Sequence, residues 1–319
     1  MTGSTTDNSL RPLDLRDAFR NVRPPLEFVL PGLLTGTVGV VVSPGGTGKS
    51  MLMLSSALSV GIGLDLGSIW GHEIAQGRVV YLAAEDPSDV IVRRVHTLGN
   101  LLKTEEEEDA IADAVDVIPA YGRGFTIATP SATGPVPSEV WLRFSDWLLK
   151  RQPRLLILDT LNRCLGGISE NDSGSMGAVL SIVERTCRSV GCAVILVHHT
   201  NKASMTEGSG SEQHAARGSS AITDNARWQC NLSVMGRDDA AARGITDDGE
   251  RRQWVRLDLS KVNYSAPIAE RWLKRGMGGV LTADEEVPQR VKAGRSTAKA
   301  NGNGSRRSKQ DMSDDDAVW

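Results

Sequence analysis

The stretch TVGVVVSPGGTGKSML, residues 37–52, leaves few folds open. Val38 to Val42 form an apolar, mostly β-branched run. A run without polar alternation reads as a strand buried on both faces, which is how strands sit in parallel sheets covered by helices. Three glycines then fall within the four residues 45–48, and Lys49 and Ser50 open a helix predicted over 50–60. A loop that holds phosphate needs backbone amides curled around an anion, a lysine that reaches the outer phosphates and a hydroxyl for Mg2+. Gly45, Gly46 and Gly48 meet the first need, Lys49 the second and Ser50 the third. Ser43, Thr47 and Met51 complete the candidate nucleotide-binding set. The helix directs its positive end at the phosphates. The pattern GxxxxGK[ST] would put glycine at 43, where the chain has Ser43. A small residue can stand there if the backbone needs no positive φ. The other reading, a glycine-rich turn without a ligand, explains neither Lys49-Ser50 nor the strand–loop–helix setting.

Further buried-strand signals follow. GRVVYLAAE (77–85) is one, and Asp86 and Pro87 after it suit N-cap and N1 of a helix. Ile91, Val95, Leu98 and Leu102 give that helix an apolar face. EEEED (105–109) reads as a solvated helix face, and 122–138 as a Gly/Pro/Ser/Thr-rich loop. Trp141, Phe144 and Leu148 share a helix face. RLLILDT (154–160) and CAVILVHH (192–199) are two more buried strands, with a helix from about 175 to 190 between them that ends at Gly191. RQWVRLDLSKVNY (252–264) alternates as a strand, expected antiparallel at the far side of the sheet. Strands alternating with crossover helices predict an α/β domain with a mostly parallel sheet. We divide the chain into a short N-terminal arm (1–24), expected to contact another subunit, a core (25–285) and a low-complexity, disordered C-terminal tail (286–319).

Acids close two of the buried strands. Phosphoryl transfer to water needs a metal, a positioned water and charge neutralisation. Asp159 is placed to hold Mg2+ with Ser50, and Glu85 to orient or deprotonate the attacking water. An acid after a strand is often just a helix cap, so each gains weight from the loop at 43–51 and from the tendency of ligands to gather at the carboxyl ends of parallel strands. His198 and His199 close a third strand, and alternation points one of the two at the phosphates. The four cysteines, Cys164, Cys187, Cys192 and Cys230, contain no C-x-x-C pair, so neither a zinc cluster nor a redox pair is indicated. With no secretory signal, the chain reads as cytoplasmic, and no apolar run reaches membrane-spanning length.

The segments PPLEFVLPGLLTGTVGVVVSPGGTGKSML, VVYLAAEDP, LILDTL, GCAVILVHH, RGSSAITDNARWQ and KVNYSAPIAERW resemble, in order and spacing, the RepA-type hexameric replicative helicases of broad-host-range plasmids, a RecA-like P-loop group. The resemblance covers roughly residues 22–281. It implies a RecA-like core and ATP with Mg2+ as cofactors. It makes Glu85 the catalytic carboxylate, Asp159 the metal-associated acid and His199 the γ-phosphate sensor, with Arg94 anchoring the same corner. ATP in such rings lies between subunits, and a neighbour's basic residue completes the site. Many relatives use Lys-x-Arg on a late strand, but here the stretch is Lys261-Val262-Asn263. Arg217, Lys261 and Arg275 are therefore all candidates.

The resemblance also implies a homo-hexamer that moves on single-stranded DNA, 5′ to 3′, and unwinds duplex during plasmid or mobile-element replication. Residues 201–216 correspond to its DNA-binding loop, with Lys202 and Arg217 as candidate DNA contacts and Tyr264 as a candidate stacking residue. Net charge is −3, so no global basic field draws DNA. Six copies of one loop would still line a channel with positive charge. A RecA-like ATPase that binds DNA without unwinding, as a recombination mediator or regulatory switch, is the rival. The terminal SDDDAVW joins an acidic run to a tryptophan and is a candidate docking tip for a replication partner; a plain solubilising tail is the alternative.

Overall fold

The computed structural model describes residues 12–199, 220–283 and 285–290. A short helix, α1 (Leu15–Arg20), precedes the hairpin β1 (Phe28–Leu30) and β2 (Leu33–Leu34). The phosphate-loop unit follows as β3 (Val38–Ser43) and α2 (Lys49–Ile62). Next come β4 (Val79–Ala83), α3 (Ser88–Gly99), α4 (Glu105–Ala114) and β5 (Val115–Pro119). The small hairpin β6 (Ala128–Thr129) and β7 (Val136–Pro137) leads into α5 (Glu139–Arg151), β8 (Leu155–Asp159), α6 (Ser173–Val190) and β9 (Ala193–His199). The last third holds α7 (Ser220–Asn225), β10 (Trp228–Val234), α8 (Arg237–Ala242), α9 (Asp248–Gln253), β11 (Trp254–Val262), β12 (Arg271–Arg275) and β13 (Leu281–Thr282).

Nine strands form one sheet in the order β13-β12-β11-β10-β3-β9-β8-β4-β5. The six from β10 to β5 are parallel, and β11, β12 and β13 continue the sheet antiparallel. The apolar runs produce this directly: every residue of β3, β4 and β8 is buried, so both faces must be covered. On one face the core forms around α2, with Val41, Tyr81, Ile157 and Ile195 beneath it. On the other, α5 and α6 cover Val40, Leu82, Leu158 and Leu196. Helix α2 is buried along nearly its whole length, so the phosphate loop at its head rests on a fixed support. The hairpin β1–β2 is tied to the sheet by Trp228, whose indole N–H donates to the Pro31 carbonyl at 2.8 Å.

Several expectations change. Pro87, not Asp86, is the N-cap of α3, because Asp86 is drawn to Arg94 instead. Strands β5 and β10 go beyond the sequence expectation. Residues 122–138 contain the β6–β7 hairpin, and Ser138 caps α5 by accepting from the Trp141 amide at 3.0 Å. Strand β11 is antiparallel as expected but lies inside the sheet, with β12 and β13 beyond it. The loop 201–216, Lys202, Arg217 and the tail from 291 on lie outside the described residues. Among the described residues no helix is long and apolar enough to cross a membrane.

Candidate nucleotide site

Strands β3, β4, β8 and β9 bring their carboxyl ends to one place, each carrying a polar group. Ser43 ends β3 in ordinary strand backbone, so the residue that departs from the motif costs no strain. The left-handed positions of the loop are Gly46 (φ 79°) and Gly48 (φ 110°), where a side chain would be strained. A Cβ on Gly48 would also meet Leu281 at 3.3 Å.

Lys49 is buried, and its ammonium turns back onto its own loop. It reaches the Ser43 carbonyl at 3.0 Å, the Ser43 hydroxyl at 3.1 Å, the Pro44 carbonyl at 3.0 Å and His199 Nδ1 at 3.0 Å. Burial lowers its pKa to about 8, against the opposing pull of Asp159 and Glu85. On its other side His199 meets Glu85, with Nε2 3.0 Å from the Glu85 carboxylate. An ammonium can only donate and a carboxylate can only accept, so His199 is the neutral tautomer with its proton on Nε2. Glu85, His199 and Lys49 thus form one chain across three strand ends.

Asp159 is almost fully buried at the end of β8. One carboxylate oxygen accepts from the Tyr81 hydroxyl; the other, Oδ1, has no partner. Burial raises its pKa, while the Tyr81 and Ser50 hydroxyls oppose the rise. An orphaned, buried carboxylate oxygen beside the Ser50 hydroxyl is a donor set that suits a hydrated Mg2+. Among the described residues no three His, Cys, Asp or Glu side chains gather to hold a metal unaided, so phosphate oxygens would supply the remaining ligands.

A cavity of about 270 Å3 opens over these groups. Gly46, Gly48, Lys49, Ser50 and Met51 form its floor, and Glu85 and His199 one end. Asp86, Arg94, Arg275, Gly278 and Gly279 complete the lining. Arg94 Nη1 is held by Asp86 at 2.5 Å. Tyr81, Asp86 and the turn at 278–279 are site residues that sequence reasoning misses. Tyr81 looks like one more apolar residue of a buried strand, and the turn is brought in by a hairpin that carries no clear sequence signal.

The three candidates for a neighbour's cation separate. Arg275 donates to the Thr47 carbonyl at 2.7 Å, on its own phosphate loop. Lys261 donates to the Thr223 and Asp224 carbonyls, both at 3.0 Å, in the last turn of α7. Its register through Gln229 to Val40 puts it away from the phosphate loop. Arg217 lies outside the described residues. Tyr264 is partly exposed and follows Val262, which pairs with Trp228 and through it with Gly39. It therefore stands at the amino-terminal edge of the parallel strands, not where the loops after β8 and β9 emerge.

His198, on the opposite face of β9 from His199, is buried with neither ring nitrogen hydrogen-bonded, and Glu170 lies 3.7 Å from Nδ1. The buried ring is thus unsatisfied, and the half-exposed His199 is held on both sides. The four cysteines are buried free thiols.

Two comparisons agree with this geometry. A solved structure whose title describes it as an ATPase domain shares the fold, with a TM-score of 0.52 at 9% identity over 85% of this chain and 96% of that one. The core is accordingly the RecA-like α/β arrangement that the sequence resemblance implied. Residues 6–205 match the AAA domain family. That span holds the phosphate loop, both acids and the histidine, and this chain is a member of the AAA domain family and an ATP hydrolase.

Proposed function

We propose that the chain is the motor of a ring-shaped replicative DNA helicase, a homo-hexamer that moves 5′ to 3′ along single-stranded DNA and displaces the partner strand during plasmid or mobile-element replication. One observation carries this reading. His199 touches both Lys49 and Glu85, and it ends β9, two residues before the start of the loop that resembles a DNA-binding loop. A change at the phosphates therefore acts on the strand end from which that loop departs.

The residues divide the work. Gly46, Gly48 and the amides at the head of α2 cradle the phosphates, and Lys49 leaves its internal acceptors to donate to them. The nucleoside lies toward Arg94, Arg275 and the 278–279 turn. Ser50 and Asp159 would hold Mg2+, which supplies charge neutralisation on the phosphate oxygens. Glu85, freed from His199, accepts a proton from the attacking water. His199 is left with Nε2–H to donate toward the γ-phosphate. Arg217, Lys261 or Arg275 of a neighbour completes the charge balance, Lys202 and Arg217 are the proposed DNA contacts, and Tyr264 stacks on a neighbouring subunit.

A forked-duplex assay with ATP and Mg2+ tests the reading. Strand displacement should occur on forks with a 5′ tail, and Lys49→Ala and Glu85→Ala should each lower hydrolysis by about 100-fold or more. An assembled protein that hydrolyses ATP on DNA yet displaces no strand would instead be a mediator or switch.

A further inference from the structure

Tyr81 carries the one polar side chain in an otherwise apolar strand. Strand β4 reads Val79-Val80-Tyr81-Leu82-Ala83, and all of it is buried. The Tyr81 ring belongs to the apolar core beneath α2, together with Ala83, Ile157 and Val197, and the residue is 2% exposed. A phenylalanine ring would fill the same space, so packing alone does not call for a hydroxyl. A phenol O–H buried at this depth needs a partner, and Tyr81 finds one at the nucleotide site.

Strand order decides which partner that is. Strands β4 and β8 are parallel neighbours, with Tyr81 opposite Ile157 and Ala83 opposite Asp159. Side chains two residues apart share a face, so Tyr81 and Asp159 lie diagonally on one face of the sheet. The Tyr81 hydroxyl donates to Asp159 Oδ2 and lies 3.4 Å from the Ser50 carbonyl at the head of α2. It has one proton to give, and a carboxylate can only accept, so the proton goes to Asp159. One carboxylate oxygen is thereby tied, and the other, Oδ1, is left without a partner. A carboxylate tied at one oxygen cannot turn freely about its last bond, so the free oxygen keeps one position.

We propose that Tyr81 is a positioning residue for Mg2+: its hydroxyl holds Asp159 so that Oδ1, with the Ser50 hydroxyl, is presented to the hydrated ion. Tyr81 itself touches neither metal nor phosphate. Its second contact, to the Ser50 carbonyl, sets the same hydroxyl beside the residue that carries the other metal-binding oxygen. Removing a group that orients a metal-binding carboxylate typically costs about 10–100-fold in metal affinity. The inference rests on the reading that Ser50 and Asp159 hold Mg2+, and not on ring assembly or unwinding.

Calorimetric titration of the full chain with ADP, in Mg2+ and in EDTA, tests this. Mg2+ should tighten ADP binding to the unaltered chain. Tyr81→Phe should keep the Kd in EDTA within about twofold and lose about tenfold or more of the tightening by Mg2+. Asp159→Asn should lose that tightening too, and adding Tyr81→Phe to it should take nothing more away, because the hydroxyl acts through that carboxylate. Urea midpoints in EDTA show whether each variant is folded. Equal weakening with and without the metal, or a Tyr81→Phe chain that does not fold, would make the hydroxyl a structural group and overturn the proposal. So would a further loss in the double variant. Normal tightening in Tyr81→Phe, with its loss in Asp159→Asn, would remove the role of Tyr81 alone. An unaltered chain indifferent to Mg2+ would remove the metal site and this role with it. Strand displacement is not a readout, so the helicase reading stands or falls separately.

Discussion

Lys49 has four acceptors within 3.1 Å and three protons to give. None of the four is a carboxylate, and burial outweighs the pull of Asp159 and Glu85, so its pKa falls to about 8. The sign of the pH effect follows. In the unfolded chain the lysine keeps its proton to about pH 10.5. Between about 8 and 10.5 the unfolded state therefore binds more protons, and the stability of the empty protein should rise with pH by up to about 3 kcal/mol from this group. Triphosphate binding runs the other way, because it needs the ammonium, and affinity should fall as pH passes about 8. Denaturant melts and nucleotide titrations from pH 7 to 10 check both slopes; parallel slopes would refute the assignment. The neighbouring histidines give a second test. His199→Leu should abolish most turnover. His198→Leu, which removes two unsatisfied buried nitrogens, should change stability by about 1 kcal/mol or less, as read by urea midpoints. Ser43, Asp159 and His199 were legible because each ends a buried strand, and Glu85 because it follows one by two residues. The Tyr81–Asp159 and Asp86–Arg94 pairs were not, because they depend on which strands are neighbours and how far each helix start is wound.

At the scale of elements, legibility followed apolar density. Strands β3, β4, β8 and β9 announce themselves through continuous Val, Leu and Ile. Strand β10 does not, because Gln229 and Asn231 interrupt it; both are buried, with the Gln229 amide donating to Asn231 at 2.8 Å and Asn231 to Ser260 at 3.0 Å. Strand β5 was hidden for another reason: Val115 starts it directly after Ala114 ends α4, with no turn residue to mark the change. Lys261 belongs to this scale. It caps the last turn of α7 with two hydrogen bonds, a favourable place for a cation. Burial and the charge of Arg227 lower its pKa, against Asp224. Lys261→Met should cost about 1 kcal/mol and speed amide exchange in α7. Unchanged exchange there, with loss of turnover in assembled protein, would instead favour action on a neighbour's nucleotide.

Across the whole molecule, the cavity is built from two regions far apart in sequence. Residues 46–51, 85 and 199 line it from the parallel strands, and Arg275, Gly278 and Gly279 line it from the end of the antiparallel flank. A nucleotide at this site would join the flank to the parallel core. At 100 times its Kd, ADP should add about 2.7 kcal/mol of stability and raise Tm by about 5 °C. Proteolysis of residues 271–282 should slow in parallel. Protection of the phosphate loop without protection of that hairpin would show that its lining residues are not engaged. Overall α/β layering was readable from the alternation of strands and helices, but the hairpin was not, because Gly276, Gly278 and Gly279 supply turns without an apolar pattern around them.

The AAA domain match ends at residue 205, well before Arg275, Gly278 and Gly279. The phosphate loop and this part of the cavity lining are thus written in separate stretches of the chain. With the nucleoside placed toward this turn, as proposed, substitutions around 275–279 would change base preference while Lys49, Glu85 and His199 stay untouched.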